Sequence, residues 1–88
     1  MVSKQITIVN RDGFHMRAAG DFSKAMAAFQ SEVTVSSATK SVNGKSIMHL
    51  MASGFKQGTE LTIQCEGVDE AAQLEKACEL IASGFGEE

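Results

Sequence analysis

Two residues two places apart hold the first chemistry of this chain. His15 follows an Asp12-Gly13 turn signal and stands just before an apolar stripe of helical spacing, and Arg17 follows it. A ring at a helix N-terminus meets open backbone amides and the positive end of the helix dipole. The dipole disfavours imidazolium, so the expected form is a neutral ring with a nucleophilic nitrogen. An anion picked up by that nitrogen would face the first-turn amides, with the Arg17 guanidinium as a second source of donors. This pattern fits transient carriage of a phosphoryl group. Acyl transfer fits less well, because no serine or cysteine nucleophile lies in the stretch. The alternative is a structural histidine that merely caps the helix.

A second hydroxyl chemistry centres on Ser46. It precedes the apolar run Ile47-Met48-His49-Leu50-Met51, where it reads as an N-cap contributing about 1 kcal/mol. A phosphate at a helix N-terminus is also locally favourable, so the same serine is a candidate for regulatory modification. Asn43-Gly44-Lys45-Ser46 copies the tail of a phosphate-binding P-loop, but position 39, where the first glycine belongs, is Thr39. Nucleotide hydrolysis is rejected on that ground. Cys65 and Cys78 read as small apolar residues with free thiols. With His15 and His49 they lack any short ligand spacing, so no metal site and no cofactor are expected, and His49 is given no role.

The elements that must position these groups follow from periodicity. Residues 4–9 alternate as a strand, with Ile6 and Ile8 on one face, and residues 10–13 supply a turn. Ala19, Phe22, Met26 and Phe29 recur as a helical stripe from residue 16 to about 29, widened by Ala18 and Ala25. Val33 and Val35 alternate in a strand, and residues 40–43 return through a turn at 37–39 that lacks the usual Asn-Gly pair. Ser46 opens a short helix that Gly54 stops. Leu61, Ile63 and Cys65 alternate in the clearest strand. The last helix is expected to be capped by Asp69 and to bury Ala71, Leu74, Cys78 and Ile81, with Ala77 and Phe85 beside them and Gly84 ending it. Each strand has one apolar face, which predicts an α+β fold: a half-buried, mostly antiparallel sheet with helices on one side.

Length and composition agree. The 88 residues, 43% apolar and without proline, linker or repeat, predict one domain spanning 1–88. A net charge of −3 and a pI near 5.3 argue against nucleic acid as the main partner. No apolar run is long enough for a membrane span, and the start of the chain is no signal peptide, so a cytoplasmic protein is expected. The short helix carries more apolar residues than it can hide. Ile47, Met48 and Met51 are therefore expected to share an exposed patch, read either as a loose edge of the core or as a docking surface.

Gly13-Phe14-His15-Met16-Arg17-Ala18-Ala19-Gly20-Asp21-Phe22 resembles the active-site signature of the HPr family, the histidine-containing phosphocarriers of the bacterial phosphoenolpyruvate:sugar phosphotransferase system. The segment from Asn43 to Met51 resembles the regulatory-serine segment of that family in low-GC Gram-positive bacteria, and residues 58–70 match its last strand and the turn into the final helix. The resemblance implies an open-faced sandwich, four antiparallel strands covered on one face by three helices in the order βαββαβα. It implies that His15 takes a phosphoryl group on Nδ1 from phosphorylated enzyme I and passes it to the IIA domains of sugar permeases, with Arg17 stabilising the phosphate. HPr kinase/phosphorylase would phosphorylate Ser46, and that form would serve the catabolite control protein in catabolite repression. Met16, Gly20, Lys24, Ile47, Met48 and Met51 would be the docking residues of a monomeric carrier that is no turnover enzyme. Alternatives are a mainly regulatory paralogue and the nitrogen-branch phosphocarrier. Three positions depart from the family pattern: Met16 replaces a small residue, Ala18 a proline and Gly20 a small polar residue. Loss of proline costs a few tenths of a kcal/mol, and Gly20 up to about 1 kcal/mol.

Overall fold

The structure is a computed structural model that describes residues 1–86. Its elements run β1 (Val2–Thr7), α1 (Met16–Ala27), β2 (Glu32–Ser36), β3 (Ser41–Asn43), α2 (Ile47–Ala52), β4 (Glu60–Glu66) and α3 (Glu70–Ala82), followed by a short 3-10 turn, Gly84–Gly86. The sheet order is β1-β4-β2-β3, and every neighbouring pair is antiparallel. Both β1 and β2 pair with β4, so they run parallel on either side of it, with α1 as their connection. The arrangement is the α+β open-faced sandwich expected from the alternating strands.

Register explains why only one face is covered. Val33 lies opposite Cys65 and Val35 opposite Ile63, and all four are buried with Leu61 against the helices. The intervening residues Ser3, Gln5, Thr34, Ser36, Thr62 and Gln64 form the other, polar face. A period of two thus sorts each strand into a core side and a solvent side. Ala18, Ala19, Phe22 and Met26 of α1 are fully buried over this sheet, and Phe29 is half-buried just past the helix.

Several expectations need correction. The first strand begins and ends earlier than 4–9, although Ile8 still exchanges backbone bonds with Thr59 (3.0 Å) and Gly58 (2.9 Å) beyond it. Helix α1 stops at Ala27, and α3 is turned on its axis. Ala71 is exposed and Leu74 and Cys78 are half-buried, while Gln73, Ala77 and Ile81 face the core. The reason is a polar side chain with work to do inside. Gln73 Nε2 donates to the Ser31 carbonyl at 2.9 Å and the Met26 carbonyl at 3.3 Å, which satisfies two acceptors where α1 meets β2. Nor does Asp69 cap α3 with its side chain. Its carboxylate reaches across to the amides of Gln30 (3.0 Å) and Ser31 (2.9 Å) and to the Ser31 hydroxyl. Those donors hold the Asp69 carboxyl below the usual carboxylate range. Glu70 instead braces the turn before α3, accepting from the Gly67 amide at 3.1 Å.

Of the two thiols, Cys65 sits where the apolar reading put it, and Cys78 is only half-buried. Cys65 is buried in β4, and burial pushes its pKa up to about 11; burial also raises Cys78. Among the described residues no helix is long and apolar enough to cross a membrane.

Candidate functional site

The turn before His15 is closed twice. Asn10 accepts from the Gly13 amide at 3.3 Å through its carbonyl, and its buried side-chain Nδ2 donates back to the Gly13 carbonyl at 2.9 Å. Gly13 has φ +59°, and a Cβ there would collide with the Phe55 carbonyl and the Lys56 Cα. Only glycine fits a left-handed position pressed against another backbone. The next amide, Phe14, donates to that same Phe55 carbonyl at 3.2 Å, so the His15 loop is fastened to the chain just after α2. The Phe14 ring packs edge-on to Phe22 (5.3 Å) and tilted on Phe85 (5.1 Å). Each such pair contributes about 0.5–1.5 kcal/mol beyond its buried area. Phe85 holds this place with φ +59°, an uncommon conformation for a bulky residue.

His15 follows directly. It occupies the N-cap position of α1 in extended conformation (φ −77°, ψ −179°), and its side chain makes no capping bond. The first intrahelical bond runs from the Ala19 amide to the His15 carbonyl at 2.8 Å, so the amides of residues 16–18 lie ahead of the helical ladder, and the His15 side chain is half-buried. Arg17 is exposed in the first turn. Ala18, at the position where the family pattern has proline, is fully buried there. No acidic residue sits in that turn to compete for an incoming anion. The site is an outer surface. Grooves of about 810 Å³ between β1 and α3, and about 600 Å³ beside β2 and β3, are lined by other residues.

The remaining docking candidates fall on two helices. Met16, Gly20 and Lys24 recur every four residues along α1; Met16 is 71% exposed, Lys24 is exposed and Gly20 half-buried with open space where a Cβ would stand. On α2, Leu50 alone is buried, while Ile47, Met48 and Met51 are 44%, 79% and 42% exposed. Ser46 caps α2, its hydroxyl accepting from the His49 amide at 3.2 Å. The P-loop-like Lys45 is held elsewhere: its Nζ donates to the Phe29 carbonyl at 2.9 Å.

A family model described as "PTS HPr component phosphorylation site" matches residues 2–83. The chain belongs to the HPr family. This HPr chain is 39% identical over 87 residues to the phosphocarrier protein HPr of Neisseria meningitidis serogroup A, covering 99% of this chain and 98% of that one. It is 42% identical over 81 residues to the HPr of Haemophilus influenzae, covering 92% and 95%. The crystal structure of HPr-C-His from Thermoanaerobacter tengcongensis superposes with a TM-score of 0.95 at 39% identity over 100% of this chain and 99% of that chain. Crh, the Bacillus subtilis catabolite repression protein, gives 0.76 at 33% identity over 96% and 97%. Membership makes the protein a phosphocarrier component of the phosphotransferase system.

Sequence reasoning missed three supports of the site. Asn10 carried a turn signal, but nothing local showed its side chain closing on Gly13. The Phe55 carbonyl is a backbone atom and leaves no signal. Phe85 was placed beside the α3 stripe, whereas it packs under Phe14.

Proposed function

We propose that His15 is the phosphoryl acceptor of this carrier. The Nδ1 lone pair attacks the phosphorus carried by phosphorylated enzyme I; the N–P bond to His15 forms as the bond to enzyme I breaks. A IIA domain of a sugar permease then takes the group by the reverse displacement. Arg17 and the first-turn amides of α1 balance the charge on the transferred oxygens. One observation carries this reading: in an HPr-family chain, His15 stands at the mouth of α1 without capping it, beside Arg17. Met16, Gly20 and Lys24 on α1 and Ile47, Met48 and Met51 on α2 form the docking surface. Residues 1–88 act as a single cytoplasmic HPr domain. The reading includes a monomer: Lys4 stands exposed on edge strand β1, opposite Ile63, and a charge on an edge strand disfavours edge pairing.

Ser46 is the regulatory site in this proposal. HPr kinase/phosphorylase transfers the γ-phosphoryl of ATP to its Oγ, releasing ADP and the hydroxyl proton, and the product binds the catabolite control protein. A mainly regulatory role is the second reading, favoured by the likeness to Bacillus subtilis Crh.

Incubation with phosphoenolpyruvate and enzyme I, followed by intact mass before and after acid, tests the first reading. One acid-labile phosphate, absent from His15→Ala, is expected. No labelling, or labelling that survives His15→Ala, overturns it; if a parallel incubation with ATP and HPr kinase/phosphorylase then leaves acid-stable phosphate on Ser46, the regulatory role is selected.

A further inference from the structure

Five methionines are present, and their placement is uneven. Met26 is sealed in the core at 0% exposure, and Met1, at the start of the chain, is 66% exposed. The other three, Met16, Met48 and Met51, are 71%, 79% and 42% exposed. Met16 is the first residue of α1, directly after His15, and Met48 and Met51 lie on α2, directly after Ser46. The bond from Phe14 to Phe55 ties the start of α1 to the chain leaving α2. The two thiols are placed oppositely. Cys65 is buried and Cys78 half-buried, and both are held in the protonated form that attacks peroxides poorly. Apart from Met1, the sulfur open to an oxidant in water is therefore gathered next to His15 and Ser46.

We propose that Met16, Met48 and Met51 form a reversible oxidation site through which a peroxide switches off docking of this carrier. The proposal rests on the docking surface assigned under Proposed function. A thioether sulfur lone pair attacks one oxygen of hydrogen peroxide. The S–O bond forms as the O–O bond breaks, and the departing oxygen leaves as water with both peroxide protons. Sulfur loses two electrons and the peroxide gains them. The product replaces a flexible apolar side chain with a polar, chiral sulfoxide, which methionine sulfoxide reductases reverse. At Met48 and Met51 the change removes apolar contact area from α2. At Met16 it sets an acceptor oxygen next to the anion that His15 would carry, where it competes for the donors of Arg17 and the first-turn amides. Met26, shielded in the core, stays reduced while the fold holds.

The test treats the full chain with hydrogen peroxide and maps the added oxygens by peptide mass. Phosphoryl uptake from phosphorylated enzyme I is then timed. Met16, Met48 and Met51 should gain oxygen before Met26, and the uptake rate should fall at least about fivefold and return after the reductases act. The M16L/M48L/M51L protein, compared with its own untreated form, should show no such fall. Uptake at the untreated rate by protein with all three sulfoxides overturns the proposal. So does an equal fall in the leucine variant, or a fall that tracks Met26 oxidation and loss of helical circular dichroism. Untreated protein that takes no phosphoryl group at all overturns the reading of His15 itself, and this one with it.

Discussion

Helices α1 and α2 open in opposite ways. Ser46 turns its hydroxyl onto the amide of His49 and satisfies the backbone of a six-residue helix. His15, at the same position of a twelve-residue helix, makes no such bond. A short helix with one buried residue, Leu50, has little tertiary packing to hold it, so its cap matters. Helix α1 buries Ala18, Ala19, Phe22 and Met26 and stands without a side-chain cap. Packing strength thus decides which helix mouth is available for chemistry. At α1 the side chain at the cap position makes no capping bond, and the proposed function makes it the nucleophile. At α2 any modification of Ser46 acts on a group already bonded to its own helix.

Four substitutions sharpen or break this contrast. Gly13→Ala has the largest expected effect: the added Cβ meets the Phe55 carbonyl at a position of φ +59°, which should cost at least about 3 kcal/mol by urea denaturation and slow phosphoryl uptake. A near-neutral result would mean that the His15 loop is not braced against the exit of α2. Arg17→Ala should leave stability within about 0.5 kcal/mol but lower the uptake rate roughly hundredfold, the size of a lost charge-stabilising donor. Equal loss of both would make Arg17 a structural residue. Ser46→Ala should cost about 1 kcal/mol, abolish acid-stable phosphate and leave the acid-labile group on His15. Gly20→Ala should stabilise the chain by up to about 1 kcal/mol in thermal or urea melts, because a Cβ there meets nothing within 4 Å. If it destabilises instead, the start of α1 is more tightly packed than its open surface indicates.

The same contrast separates what was legible from what was not. His15, Arg17 and Ser46 stand out because turn signals, helix starts and apolar stripes are written within a few residues of each other. The hairpin at 37–39 was legible only in outline. Its strands pair Val35 with Val42, and the Ser37 amide bonds the Lys40 carbonyl at 2.8 Å without a glycine in the turn. The face of α3 was misjudged because apolarity was used to orient it. Gln73 is the most informative residue on that helix, and it is polar.

Local spacing by itself determined the order of elements, the buried face of each strand, the exposed surplus on α2 and the placing of His15 and Ser46 at helix starts. These depend on interactions three or four residues apart, or on alternation, and so are carried by short stretches of chain. Tertiary structure alone decided the rotation of α3, the turning of Asp69 away from its own helix to Ser31, and the fastening of Phe14 to Phe55 and Phe85. Each joins groups 38 to 71 residues apart in sequence, taking the separations from the residue numbers, Ser31 to Asp69 and Phe14 to Phe85. A buried donor or acceptor must find a partner wherever folding brings one. No local pattern records which distant atom that will be.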